Sequence, residues 1–141
     1  TLTSGLTLSL QPKVFNHVEA ASIPLVGLTT YQALVEHGKL ASGQKILIIG
    51  AAVEQDSIVG NSPRCPLTLF VVGSIGVQLA KHIGAEVTAV CSGKNVEFVQ
   101  RLGASRVIDY TQEDWAEVLK GQQFDVIYDC VGTRFICSLI A

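Results

Sequence analysis

An apolar strand that ends in a glycine and runs on into a glycine-bearing helix start can take a phosphate. Glycines let the backbone approach the phosphate oxygens, and a helix start supplies unpaired N–H groups and a partial positive charge. Here the run Lys45-Ile46-Leu47-Ile48-Ile49 ends at Gly50-Ala51-Ala52, and Val72-Gly73-Ser74-Ile75-Gly76 opens an amphipathic stretch. Between them stands VEQDSIVGNSPRCPLTLFV. A GxGxxG fingerprint keeps its glycines within one turn, so the motif as such is absent. Gly73-Ser74-Ile75-Gly76 reads equally well as close packing of a helix on a strand. About 20 residues past such a loop, an acid would bond a ribose 2′-OH and repel a 2′-phosphate. The stretch Val90-Cys91-Ser92-Gly93-Lys94-Asn95 has no acid and one cation, which favours a 2′-phosphorylated dinucleotide. Asp109 and Asp129 end strands, and neither suggests a general acid. His37 and His82 fall at helix ends, where the dipole favours a cation.

The elements that must position these residues follow from periodicity. Thr1 to Phe15 reads as a strand or connector. Asn16 caps a short helix before Pro24, and a second helix follows Gly27, with Gly38 placed to stop it. The run Ile46 to Ile49 suits a strand buried on both faces. Then come a helix over Gly73–Ile83 with Ile75, Leu79, Ala80 and Ile83 on one stripe, a strand over Glu86–Val90, and a helix over Asn95–Leu102 with Val96, Val99 and Leu102 inward. A strand over Arg106–Tyr110, a helix over Gln112–Lys120 and a strand over Phe124–Asp129 complete the pattern. This alternation implies an α/β fold: a partial doubly wound Rossmann arrangement with about four parallel strands, incomplete at both ends.

The chain has 141 residues, 48% hydrophobic and 16% charged, with net charge −2. That suits one domain around a buried sheet and recommends neither nucleic acid nor an acidic membrane surface as partner. No apolar run is long enough to span a bilayer. Cys65, Cys91, Cys130 and Cys137 lack metal-site spacing, so free thiols in a reducing, cytoplasmic setting are expected. An organellar location stays open.

The block EAASIPLVGLTTYQALVEHGKLASGQKILIIGA, then VGSIGVQLAKHIGAEVTAVCSGKNVEFVQRLGASRVIDYTQEDW, then FDVIYDCVG, resembles the medium-chain dehydrogenase/reductase superfamily, in particular its zinc-independent quinone-oxidoreductase branch. The resemblance runs from about Glu19 to Gly132. It implies a dinucleotide site at Gly50, Ala51, Val72, Gly73, Ser74 and Ile75, where the branch carries a loop like GASGGVGS. It implies that Ser92, Lys94 and Tyr110 hold a 2′-phosphate, that Thr29 lies near the nicotinamide, and that Val131 touches the cleft between adenosine and nicotinamide. Bland readings stand beside these: Ser92 or Thr29 as helix caps, Lys94 as solvated surface, Tyr110 and Val131 as packing. The stretch Ile23 to Thr29 has no Cys, His or acid where zinc-dependent relatives carry a cysteine ligand, so no zinc is expected.

What the resemblance implies is a fragment. Residues 1–26 would be the remnant of a connector from a GroES-like substrate domain, and 27–141 a partial dinucleotide-binding domain with an insert at about 53–71. That insert is either a lid over the cofactor or a retained in-frame intron, and the second is favoured because long structureless insertions at such turns are rare. The implied parent activity is NADPH-dependent hydride transfer to a quinone or α,β-unsaturated carbonyl, with NADH less favoured. The small-molecule substrate is the only partner implied, and a homo-oligomer is compatible. The rival expectation is a truncated, non-enzymatic product without cofactor binding, acting only as an interaction module.

Overall fold

A computed structural model describes residues 11, 13–52 and 66–132. Outside them lie residues 1–10 and 12 of the expected connector at 1–26, most of the expected insert, Cys65, and the residues after Gly132, Cys137 among them. In chain order the elements are α1 (His17–Ser22), α2 (Pro24–Tyr31), a π-helical continuation (Gln32–His37), β1 (Lys45–Ile49), α3 (Pro66–Ile83), β2 (Glu86–Cys91), a 3-10 turn (Gly93–Asn95), α4 (Val96–Leu102), β3 (Arg106–Asp109), α5 (Trp115–Val118) and β4 (Val126–Asp129).

The four strands are all parallel, in the order β3-β2-β1-β4. That is the first half of a doubly wound sheet plus the first strand of the second half, as the sequence implies. The apolar run of β1 is explained by its central position. Ile46 and Ile48 face a core with Leu34, Val77, Ala80, Val87, Ala89 and Val99. Leu47 and Ile49 face the other side with Val90, Ile108 and Leu119. Successive strand residues point to opposite faces, so both sides must be apolar.

The helices differ from expectation at their starts. Asn16 caps α1 as expected, its Oδ1 accepting from the Val18 N–H at 2.9 Å. α2 begins at Pro24, not after Gly27, because proline's fixed φ and missing N–H suit the first helical turn. Its continuation ends at Gly38, but Gly38 keeps φ −71° and Lys39 takes the left-handed turn at φ +47°. α5 is one turn, started by Asp114, whose Oδ1 accepts from the Ala116 N–H at 3.0 Å. α4 buries Val99 fully, with Val96 and Leu102 flanking it.

The largest correction concerns α3, which starts at Pro66 rather than Gly73. Pro66 fits a helix start, and Leu67 to Val72 contains no glycine or proline to interrupt the ladder. Its buried line is also shifted. Gly73, Gly76, Val77 and Ala80 are buried, while Ile75, Leu79 and Ile83 are only half-buried. Small residues set the contact line because the helix lies close on the sheet. A Cβ on Gly76 would stand 3.1 Å from the Tyr128 ring and 3.7 Å from Ile48 Cδ1.

Candidate functional site at the carboxyl edge of the sheet

Parallel strands bring all four of their carboxyl ends to one edge, and most of the candidate residues follow those ends. At β1, Gly50 turns with φ +77°. The N–H groups of Gly50 and Ala51 both donate to the Val90 carbonyl at 3.1 Å, which fixes the turn against β2. Gly50, Ala51 and Ala52 are buried. Gly73 lies directly on this turn. A Cβ there would overlap the Gly50 carbonyl oxygen and stand 2.9 Å from Ala51 Cα. The fold thus reunites Gly50, Ala51 and Gly73 across 23 positions of sequence.

The reunion does not recreate a helix start. Seven residues of α3 precede Gly73, about 10 Å of helix at 1.5 Å per residue. The N–H groups of Val72, Gly73, Ser74 and Ile75 therefore fall inside the helical ladder, where each donates to a carbonyl four residues back. Only the first four N–H groups of a helix stand unpaired. Ser74 is buried, and its carbonyl accepts from Gln78 Nε2 at 3.2 Å. Val72 and Ile75 are half-buried, Val72 against the core.

At β2 the chain leaves through Ser92, buried and extended at φ −75°, ψ 154°. Ser92 does not cap by its side chain. Its Oγ instead accepts from Asn95 Nδ2 at 3.1 Å, and the same amide reaches the Ala52 carbonyl at 3.4 Å. Asn95 thus ties the β1 turn to the β2 turn. Lys94 is exposed. Cys91 pairs with Asp109 across β2 and β3, so Ser92 and Tyr110 follow adjacent strand ends. Tyr110 is exposed, its N–H donating to the Cys91 carbonyl at 3.1 Å.

Asp109 occupies the space between these turns. Its Oδ1 accepts from the Thr111 hydroxyl at 2.7 Å and the Thr111 N–H at 2.9 Å. Those bonds, the hydroxyl first, hold the carboxyl below its ordinary range. Oδ2 faces Gly93, where any Cβ would overlap it. Burial, and secondarily the Asp109 charge, pushes the Cys91 thiol up to about 11.

At β4, Asp129 Oδ1 accepts from the N–H groups of Val131 at 2.8 Å and Gly132 at 2.9 Å. That turn leaves Val131 exposed. Cys130 is buried, its N–H donating to the Ile49 carbonyl at 3.0 Å. Burial, then the Asp129 charge, pushes its thiol to about 12. Burial also raises the Tyr128 phenol, partly offset by Thr30. Thr29 is not a cap. It sits within α2, exposed, its hydroxyl donating to the Leu25 carbonyl at 2.7 Å, a common fate of mid-helix threonine. Its neighbour Thr30 is the buried one.

A family model described as zinc-binding dehydrogenase matches residues 71–139. The chain is 39% identical over 136 residues to the mouse (Mus musculus) mitochondrial NAD(P)H oxidoreductase RTN4IP1, covering 93% of this chain and 30% of that protein. It is 36% identical to a tomato (Solanum lycopersicum) 2-methylene-furan-3-one reductase, covering 89% of this chain and 28% of the relative. The structure of the quinone oxidoreductase from Coxiella burnetii superposes with a TM-score of 0.69 at 29% identity, covering 87% of this chain and 33% of that one. The chain is a partial domain of the medium-chain dehydrogenase/reductase superfamily. It is quinone-oxidoreductase-like within that superfamily and spans less than a third of the curated relatives named here.

Within this partial superfamily domain, the edge gathers Gly50, Ala51 and Gly73 at one turn and Ser92 and Tyr110 at another, with Lys94 beside Ser92. Val131 stands beyond them in the turn that follows β4, the strand next to β1. Thr29 belongs to α2, which packs on α3 rather than extending from a strand end. Reading the sequence missed Asn95 as the tie between turns and Asp109 as the neighbour of Gly93. The only sequence signal for either is its place just after, or at, a strand end. Among the described residues, no three of His, Cys, Asp and Glu gather as a metal-ligand group, and no helix is long and apolar enough to cross a membrane.

Proposed function

We propose that this chain is part of an NADPH-dependent oxidoreductase that passes a hydride to a quinone or an α,β-unsaturated carbonyl. The observation that carries the proposal is the backbone contact of Gly73 with the Gly50-Ala51 turn, a close approach that puts glycines at the carboxyl end of the central strand, where open α/β sheets take their ligands. The names of the relatives support it: an NAD(P)H oxidoreductase, a furanone reductase and a quinone oxidoreductase. Bound nicotinamide would supply the hydride chemistry. The chain's own part is to bind and orient: Gly50, Ala51, Val72, Gly73, Ser74 and Ile75 beneath the pyrophosphate, and Ser92, Lys94 and Tyr110 toward a 2′-phosphate. Thr29 would stand toward the nicotinamide, and Val131 at the cleft between adenosine and nicotinamide. No residue is assigned as acid or base.

The proposed division keeps residues 1–26 as connector and 27–141 as a partial dinucleotide-binding domain interrupted at about 53–71. A cytoplasmic or organellar setting suits Cys91 and Cys130 as free thiols, and the mouse relative is named as mitochondrial. Zinc has no part in the proposed reaction.

One observation favours the second reading, a product that binds no cofactor. At the adenosine half of the edge the residues proposed for a 2′-phosphate, Ser92, Lys94 and Tyr110, follow adjacent strand ends. The pyrophosphate half fits a dinucleotide less well, because α3 keeps the Val72 to Ile75 N–H groups in its ladder. Thermal unfolding with NADPH and with NADH separates the readings. A ligand that binds only the native state stabilises by about 2.7 kcal/mol at a hundred times its Kd, so the midpoint should climb with NADPH concentration, and less with NADH. A midpoint that ignores millimolar amounts of both would reject the cofactor-binding reading in favour of the second.

A further inference from the structure

The absence of an acid in the Ser92-Gly93-Lys94 turn is the argument for the phosphorylated cofactor, yet the fold supplies an acid to that turn from the neighbouring strand. Asp109 is register partner to Cys91, the residue just before Ser92. Its carboxylate is fixed, not swinging: Oδ1 is held by both donors of Thr111. Oδ2 is buried against Gly93, and the Gly93 N–H adds to the Thr111 bonds in favouring the charged carboxylate. The group lies so near Gly93 that a Cβ there would stand 3.2 Å from its Cγ and overlap Oδ2. Lys94, on the next residue, is the one cation of the turn. The turn carries one cation, and the neighbouring strand brings one carboxylate to it, whereas a 2′-phosphate favours a net positive site.

We propose that Asp109 is a specificity-determining residue whose fixed negative charge offsets Lys94, weakens 2′-phosphate binding, and sets how far this chain prefers NADPH over NADH. The proposal rests on the reading that this turn faces the adenosine ribose. It requires no contact with the ligand, since a charge several ångströms away acts through the field. Removing one such charge near a solvent-screened site is worth roughly a tenfold change in affinity.

The test is titration calorimetry of the full chain and its Asp109→Asn variant with NADPH and with NADH. The carboxamide keeps an oxygen for Thr111 and removes the charge, at the cost of turning the acceptor Oδ2 that faces Gly93 into a donor. The expected result is NADPH binding strengthened about tenfold in the variant, with NADH binding unchanged within about twofold. Should Asp109→Asn fail to fold, Asp109→Ser removes the same charge without crowding Gly93 and is read in the same way. Equal changes for both cofactors would mean that Asp109 only shapes the turn, and would overturn the proposal while leaving the cofactor reading intact. An unchanged NADPH/NADH ratio would do the same. Failure of every chain to bind either cofactor would bring down the cofactor reading and this proposal together.

Discussion

Replacing Gly73 by alanine tests the contact on which the functional reading stands. In most helix interiors this change is favourable, since alanine is the better helix former by about 1 kcal/mol. Here the new methyl would meet the Gly50 carbonyl oxygen and stand 2.9 Å from Ala51 Cα and 3.0 Å from the Gly50 carbonyl carbon. These are backbone atoms, so no rotamer change relieves them. The turn cannot easily retreat either, because both its N–H groups are bonded to the Val90 carbonyl. Overpacking of this kind costs up to about 3 kcal/mol, and the helix-propensity gain leaves a net loss of about 2 kcal/mol. For a chain of this size each kcal/mol moves the midpoint by about 4 °C, so Gly73→Ala should melt about 8 °C lower. Gly76→Ala is the internal control. Its methyl meets Tyr128 ring carbons at 3.1 and 3.2 Å, a side chain that can yield by a few tenths of an ångström, and the propensity gain should leave it within about 1 kcal/mol of the parent. Differential scanning calorimetry of the three chains decides the matter. A Gly73→Ala variant as stable as Gly76→Ala would mean that α3 does not abut the β1 turn, and the reunion of Gly50 with Gly73 would fall.

Three further outcomes are expected. Amide hydrogen exchange should find the Gly73 and Ser74 N–H groups protected to a degree comparable with Ala80, because α3 runs from Pro66 through all of them; exchange as fast as in an open loop would contradict the early helix start and restore a free phosphate cradle. Cys91 and Cys130, pushed by burial to about 11 and about 12, should resist a disulfide reagent near neutral pH in a Cys65→Ser/Cys137→Ser background until the chain is unfolded, and prompt labelling of the native form would refute their burial. The same shifts carry a pH sign. The native thiols hold protons that the unfolded ones release above their ordinary 9.0, so stability should be level below pH 9 on this account and fall as pH rises toward 11 to 12. Denaturant midpoints that rise over that range would reverse it.

The fold was legible because its signals are local and redundant. Ile46 to Ile49 had to be apolar on both faces, and that run cannot sit at a sheet surface. Gly84 and Gly103 close α3 and α4 with φ +90° and +112°, the left-handed ends that glycine favours. The short connections between helices and strands then left little freedom for the topology. Gly38 misled in the same terms: the left-handed residue was one position later, at Lys39, because the helix loosens into a π-turn before it stops.

The candidate site was legible only in part, and the reason lies in what a glycine can report. Gly73 is required because backbone passes where its side chain would be. That demand is the same whether the preceding residues form a phosphate loop or two more turns of helix. The glycine therefore marks a close approach but not a free N–H, and it is the N–H that would bind an anion. Asp109 poses the complementary problem. Its meaning comes from Cys91, at the end of a strand 18 positions earlier in the chain, and from Gly93 in the turn that follows it, and register between parallel strands is set by how both sheet faces bury, not by anything adjacent in sequence. Counting forward from Gly73 finds Lys94 and no acid; crossing to the neighbouring strand finds the acid. Charge at a strand end has to be summed over adjacent strands before it can speak for one cofactor over another.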